Sequence, residues 1–162
     1  IQTAMNRYSK LLWHIAAAVL RNAASPEDVE ECVADVFVYL WQNCARYDEA
    51  RGSLKSWLSL VAKSKAIDRY RQLSKNNPVA LDETLGLESA YAADEVLSAE
   101  SRRELYAAIR ALGEPDREIM IRRHYYRQKP KDIAFVLDLP VKQVENRLYR
   151  SKLKLRTMLS QA

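Results

Sequence analysis

Glycine and proline are scarce in this chain, three and five among 162 residues. Gly52, Gly86 and Gly113, with Pro26, Pro78, Pro115, Pro130 and Pro140, all fall where the apolar periodicity breaks. Neither residue type interrupts a long periodic run, which is the distribution an all-helical chain requires. No alternating, strand-like run competes with it. Cysteine and histidine are as sparse. Cys32, Cys44, His14 and His124 are too few and too scattered for a zinc pattern, and both cysteines are expected as buried thiols at apolar positions of one helix. No Gly-rich phosphate loop, nucleophile motif or triad context occurs, so neither a catalytic residue nor a cofactor or metal site is expected. No run of 18 apolar residues exists, and the first residues lack a basic segment followed by an apolar core. The expectation is a cytoplasmic protein with no membrane contact of its own. Residue 1 is Ile rather than Met, which leaves the native beginning open.

Lys and Arg are missing from one stretch altogether. Residues 76–100 hold six acids and no base, whereas 1–75 hold 11 basic and 8 acidic groups and 101–162 hold 15 and 7. Local balances of −6, +3 and +8 therefore lie within a formal charge of +5. A basic C-terminal third suits a polyanion, and an acidic middle suits a segment that stays off it. The expected architecture is all-α, with two small helical domains, 1–75 and 97–162, joined by an acidic linker over 76–96.

Residues 5–21 read as a helix with Tyr8, Leu11, Leu12, Ile15 and Val19 inward. Ser25-Pro26-Glu27-Asp28 starts the next, Ser25 as N-cap and Asp28 reaching back. Its stripe is Val29, Cys32, Val33, Val36, Phe37, Leu40, Trp41 and Cys44, and the other side carries Glu31, Asp35, Val38 and Gln42. That side is either a solvated face or a docking face for a basic partner. A loop, 45–53, holds Tyr47 and Arg51. The helix from Leu54 to Leu73 would turn Trp57, Leu60, Val61, Ile67 and Tyr70 inward and Lys55, Ser56, Ser59, Lys63, Arg69 and Arg71 outward. Basic groups beside an aromatic-bearing polar loop are the parts of a single-strand binder, although Tyr47 reads equally well as core or as exposed.

Residues 129–156, KPKDIAFVLDLPVKQVENRLYRSKLKLR, form the pattern of a helix-turn-helix. The first helix opens at Pro130 and buries Ile133, Ala134 and Leu137; the second opens at Pro140 and buries Val141, Val144, Leu148 and Leu155. Its outer side collects Lys142, Gln143, Asn146 and Arg150, flanked by Glu145, Arg147 and Lys154, side chains that read base edges and hold phosphates. An ordinary helical hairpin with a basic face is the plainer reading. At the corner, Asp138 stands where Gly is usual.

With the modules placed, the chain resembles bacterial RNA polymerase sigma factors of the extracytoplasmic-function (ECF, group IV) family. The likeness rests on SPEDVEECVADVFVYLWQN and RYDEARGSLKSWLSLVAKSKAIDRYRQ in the first module and LGEPDREIMIRRHYYRQKPKDIAFVLDLPVKQVENRLYRSKLKLR in the second. The resemblance implies a protein that binds core RNA polymerase and directs it to promoters. It implies that Glu31, Asp35, Val38 and Gln42 dock on the polymerase, and that the loop with Tyr47 and Arg51 receives a flipped base of the -10 element. Ser56, Lys63, Arg69 and Arg71 would hold the opened strand. Lys142, Gln143, Asn146, Arg147, Arg150 and Lys154 would read the double-stranded -35 element. An anti-sigma factor is a further implied partner. Glu145, where the family commonly has a base, and Asp138 depart from the pattern. The other readings are a freestanding helix-turn-helix regulator and a helical adaptor that binds only protein.

Overall fold

Seven α-helices run through the residues that the computed structural model describes, 1–76 and 98–161. They divide between two compact units. The expected linker, apart from Asn76, lies outside the described residues. No helix among the described residues is long and apolar enough to cross a membrane.

In the first unit α1 (Gln2–Leu20), α2 (Pro26–Asn43) and α3 (Leu54–Asn76) each pack against the other two. Their shared core is Leu12, Val36, Phe37, Leu40, Leu58 and Ala62. The start of α2 is fixed locally. Ser25 Oγ accepts from the Asp28 amide at 3.2 Å, the Asp28 carboxylate accepts from the Ser25 amide at 3.0 Å, and Pro26 occupies the first turn. Asp28 also accepts from Arg69 of α3 at 2.6 Å, so the cap of one helix is tied to the flank of another. The Arg69 hydrogen bond, followed by those from the Ser25 amide and hydroxyl, holds the Asp28 carboxyl below its ordinary value.

A carboxyl whose folded pKa is depressed stabilises fully above its unfolded value, about 3.9, and loses that contribution as pH falls through the folded value. Asp28→Ala is therefore expected to lower stability by about 1–3 kcal/mol at pH 7. The deficit should shrink below about pH 4. Urea unfolding of the whole chain at pH 7 and pH 3 measures it, and a deficit equal at both would remove the carboxylate from the explanation.

Buried positions of α3 follow i+4 steps, Leu58, Ala62, Ala66, Tyr70 and Ser74. Each step advances about 40° around the helix, so the buried line winds instead of keeping to one face. Two expectations fail for this reason. Leu60 is exposed, whereas Ser59 is buried and donates its hydroxyl to the Lys55 carbonyl at 2.7 Å. In α2 the stripe also ends early. Cys32 is buried and its thiol is pushed up by that burial, but Cys44 is exposed. The α-helix stops at Asn43, and Cys44 opens a tighter turn, Cys44–Arg46, in which α-helical spacing no longer applies. Trp41, about 120° from the middle of the buried stripe, is 68% exposed.

The second unit holds α4 (Ala99–Ala111), α5 (Asp116–Met120), α6 (Pro130–Leu137) and α7 (Val141–Ser160). α7 packs against the other three and buries Val144, Leu148, Ser151 and Leu155. After α5 one π-helical turn, Ile121–Tyr125, buries Arg122 completely. Its guanidinium donates to Glu118 at 2.9 Å and to Gln128 at 3.4 Å, which satisfies the charge and anchors the chain just before the hairpin. At the corner Asp138 takes φ 53° and ψ 49°, left-handed backbone that Asp tolerates better than most residues. The Leu139 amide then reaches the Ala134 carbonyl at 3.0 Å and closes α6. Pro130 occupies the first turn of α6, as expected. Pro140 is the extended N-cap of α7, and Val141, expected inward, is exposed at its first position.

Candidate nucleic-acid interface

Two surfaces, one in each unit, collect polar, basic and aromatic groups. On α7, counting about 100° per residue, Lys142, Asn146, Tyr149, Arg150 and Leu153 fall within one arc of about 100° opposite the buried face. All five are exposed. Tyr149 and Leu153 went unremarked in the sequence, although the same spacing places them there. Gln143, Arg147 and Lys154 lie on one flank, Lys154 exposed and the other two half-buried, and Glu145 is exposed on the opposite flank. Arg147 is committed elsewhere, its guanidinium lying 3.0 Å from the largely buried Asp116 of α5. A helix with this outer face can lie along a groove of duplex DNA, Lys and Arg on phosphates and Asn on base edges.

The second surface is the loop before α3. Arg46, Tyr47, Asp48, Arg51, Gly52, Ser53, Ser56, Trp57 and Leu60 enclose a cavity of about 260 Å³, open on one side. Ser53 caps α3 by accepting from the Ser56 amide at 3.1 Å, and Asp48 accepts from the Ala50 amide at 2.9 Å. Arg51 faces Asp48 across 3.8 Å, an exposed pair that opens at little cost. The space has room for a flat ring system, and its wall offers polar groups from Arg46, Asp48, Arg51, Ser53 and Ser56 beside Trp57 and Leu60.

Ser56, Leu60, Lys63 and Arg71 fall within about 80° of arc on α3, so the cavity and a basic strip share a side. Lys63 is half-buried, and Arg71 pairs with Asp68 at 2.6 Å on the surface. Arg69 does not belong to this side. Two residues from Arg71, it points about 200° away and is bound by Asp28 and by Glu31, the latter at 3.2 Å. Its guanidinium is a clasp between α3 and α2.

On α2 the side away from the core carries Glu31, Asp35, Val38 and Gln42, all exposed. Trp41, expected in the core stripe, instead adjoins Val38 on the surface. The result is an acidic helix face with an apolar patch at its edge. Two exposed hydrophobes beside carboxylates are suited to a partner that is both basic and apolar.

Two family models match, Sigma-70 region 2 over residues 4–76 and Sigma-70 region 4 over residues 102–155. Among curated relatives, the ECF RNA polymerase sigma factor SigK of Mycolicibacterium vanbaalenii is 28% identical over 125 residues, 73% of this chain and 62% of that protein. The ECF RNA polymerase sigma factor RpoE of Cereibacter sphaeroides is 25% identical over 157 residues, 94% of this chain and 86% of that protein. The chain belongs to the ECF sigma factor family. The region 2 match covers nearly all of α1 and the whole of α2 and α3 with their cavity, and the region 4 match covers the helix-turn-helix and about three quarters of α7. The family match to SigK spans about three fifths of that relative's length. A solved sigma factor RpoE of Bartonella quintana, in complex with the anti-sigma factor NepR, aligns over 99% of this chain and 98% of its own at 15% identity with a TM-score of 0.38. That likeness transfers no residue assignment.

Proposed function

We propose that this protein is an alternative sigma factor that binds core RNA polymerase in the cytoplasm and directs it to a particular set of promoters. The observation that carries the reading is the pairing, in one chain, of two different surfaces suited to nucleic acid: a helix-turn-helix with Lys142, Asn146 and Arg150 exposed, and a cavity with room for a base beside the basic side of α3. An operator-binding regulator needs only the first. In this reading α7 holds the duplex -35 element, with Gln143 and Lys154 at the edge of the contact. The cavity takes one base extruded from the -10 element, while Ser56, Lys63 and Arg71 follow the displaced strand. The acidic face of α2, extended by Trp41, docks on the polymerase.

The chain contributes no bond-making step. Unstacking a base step costs a few kcal/mol, and capture of the extruded base in a fitted cavity offsets that cost. Polymerase holds the chemistry, and sigma selects where it starts. An anti-sigma factor, shielding one or more of these surfaces, is the expected further partner.

Run-off transcription with core polymerase over a promoter library, with and without the protein, tests the reading. Discrete start sites that depend on the protein are expected. Sequence-specific duplex binding without polymerase, and no protein-dependent start sites with it, would replace the sigma reading with that of a freestanding regulator.

A further inference from the structure

The loop that forms the cavity is closed by one side chain. Tyr47 donates its hydroxyl to the carbonyl of Gly52 at 3.2 Å and sets its ring at 40° to that of Trp57, with 5.7 Å between centroids. Trp57 continues to Tyr39 at 5.9 Å, and the Lys65 ammonium lies 5.3 Å from the Tyr39 ring centre. Three rings and a cation thus form one row, and Tyr47 is its loop end. Gly52 itself stands at φ 155° and ψ 174°, backbone that side-chain-bearing residues rarely adopt. The carbonyl presented by that conformation is the one Tyr47 holds. The other braces are shorter in reach, since Asp48 ties only Ala50 and faces Arg51.

Both ends of Tyr47 are therefore in use, its hydroxyl on the backbone and its ring against Trp57. Swinging Tyr47 out to meet an incoming base would release these contacts. Leu60, 50% exposed on the cavity wall, and the part of Trp57 facing the cavity are available without any such rearrangement.

We infer that Tyr47 is a positioning residue: through Gly52 it holds the loop in the shape that discriminates between bases, and the captured base lies against Trp57 and Leu60. The inference rests on the reading of the cavity as the base-capture site.

The test uses polymerase holoenzyme carrying the full chain and promoter templates already unpaired across the -10 element, with each of the four bases in turn at the extruded position. Wild type defines the ratio between the tightest and the weakest template. Tyr47→Phe keeps the ring and loses the hydrogen bond, and is expected to lower that ratio about fivefold, the order of one net hydrogen bond, with closed-complex affinity and melting temperature unchanged. Gly52→Ala, which moves the acceptor and leaves Tyr47 intact, should flatten the ratio in the same way. Leu60→Ala should instead weaken capture of all four bases together, about fivefold, with the ratio retained.

A Tyr47→Phe protein as discriminating as wild type, with capture lost only in Tyr47→Ala, would mean that the ring itself meets the base and would overturn the inference. Equal weakening on all four templates with a lowered melting temperature would mean a brace for the fold alone, and would overturn it as well. If wild type itself does not distinguish the four bases, the cavity reading fails and takes the inference with it, an outcome recognisable before any variant is made.

Discussion

Asp35→Arg is expected to abolish retention of the protein on core RNA polymerase while leaving it folded. Asp35 is exposed in the middle of α2, about 120° from the middle of the stripe that Val29, Cys32, Val36, Phe37 and Leu40 bury. Reversing its charge removes nothing from the core, and Arg suits a helix interior better than Asp, so the change in stability should stay within about 0.5 kcal/mol. Placing a cation against a basic partner surface is different. Like-charge juxtaposition across an interface costs several kcal/mol, which at about 1.4 kcal/mol for each factor of ten corresponds to a loss of roughly a hundredfold or more.

Glu31 is a poorer probe of the same face, because it also accepts from Arg69 at 3.2 Å and its reversal would disturb the clasp between α2 and α3. Trp41→Ala supplies the apolar counterpart, with a smaller loss and no change in salt dependence. Circular dichroism melting and a pull-down on core polymerase are read together. A folded Asp35→Arg protein that binds core normally would take this side of α2 out of the interface.

What could be read from the sequence, and what could not, divides by the range of the interaction. Caps and corners were legible because their partners lie within four residues: Ser25 with Asp28, Pro130 in the first turn of α6, Asp138 accepting left-handed backbone. The outer arc of α7 was legible too, since α-helical spacing alone groups Lys142 with Asn146 and Arg150. Arg69 and Arg71 could have been separated by the same arithmetic, because residues two apart in a helix face nearly opposite ways. Leu60 could not. Its exposure depends on α3 crossing two neighbours, so that the buried line winds from Leu58 to Ser74, and nothing in the local pattern encodes that crossing. The cavity was visible only in part. Tyr47 and Arg51 were picked out by type, but the hydroxyl on Gly52 and the ring on Trp57 are products of loop closure. Arg147 shows the limit most plainly, since its partner Asp116 lies 31 residues away in the chain.

That pair supplies the second large effect. Among the basic groups of α7, Arg147 is half-buried and bound to Asp116 of α5 at 3.0 Å, whereas Asn146 and Arg150 are exposed on the outer arc. If Asn146 and Arg150 meet bases, Asn146→Ala and Arg150→Ala should each cost about 1–3 kcal/mol of -35 binding by the holoenzyme, without loss of stability. Arg147 is expected to act through the fold. Arg147→Asp sets two carboxylates against each other between α5 and α7, lowering both the melting temperature and -35 binding, the latter by about 2–4 kcal/mol, or roughly 30-fold to 1,000-fold. The exchanged pair Asp116→Arg with Arg147→Asp restores an attraction across the same gap. If Arg147 sets the rotation of α7, the exchanged protein should regain most of its melting temperature and most of its DNA binding together. If Arg147 instead touches a phosphate or a base, position 147 still presents a carboxylate to DNA after the exchange. Stability would then return while binding stayed low, and Arg147 would rejoin Asn146 and Arg150 as a direct contact.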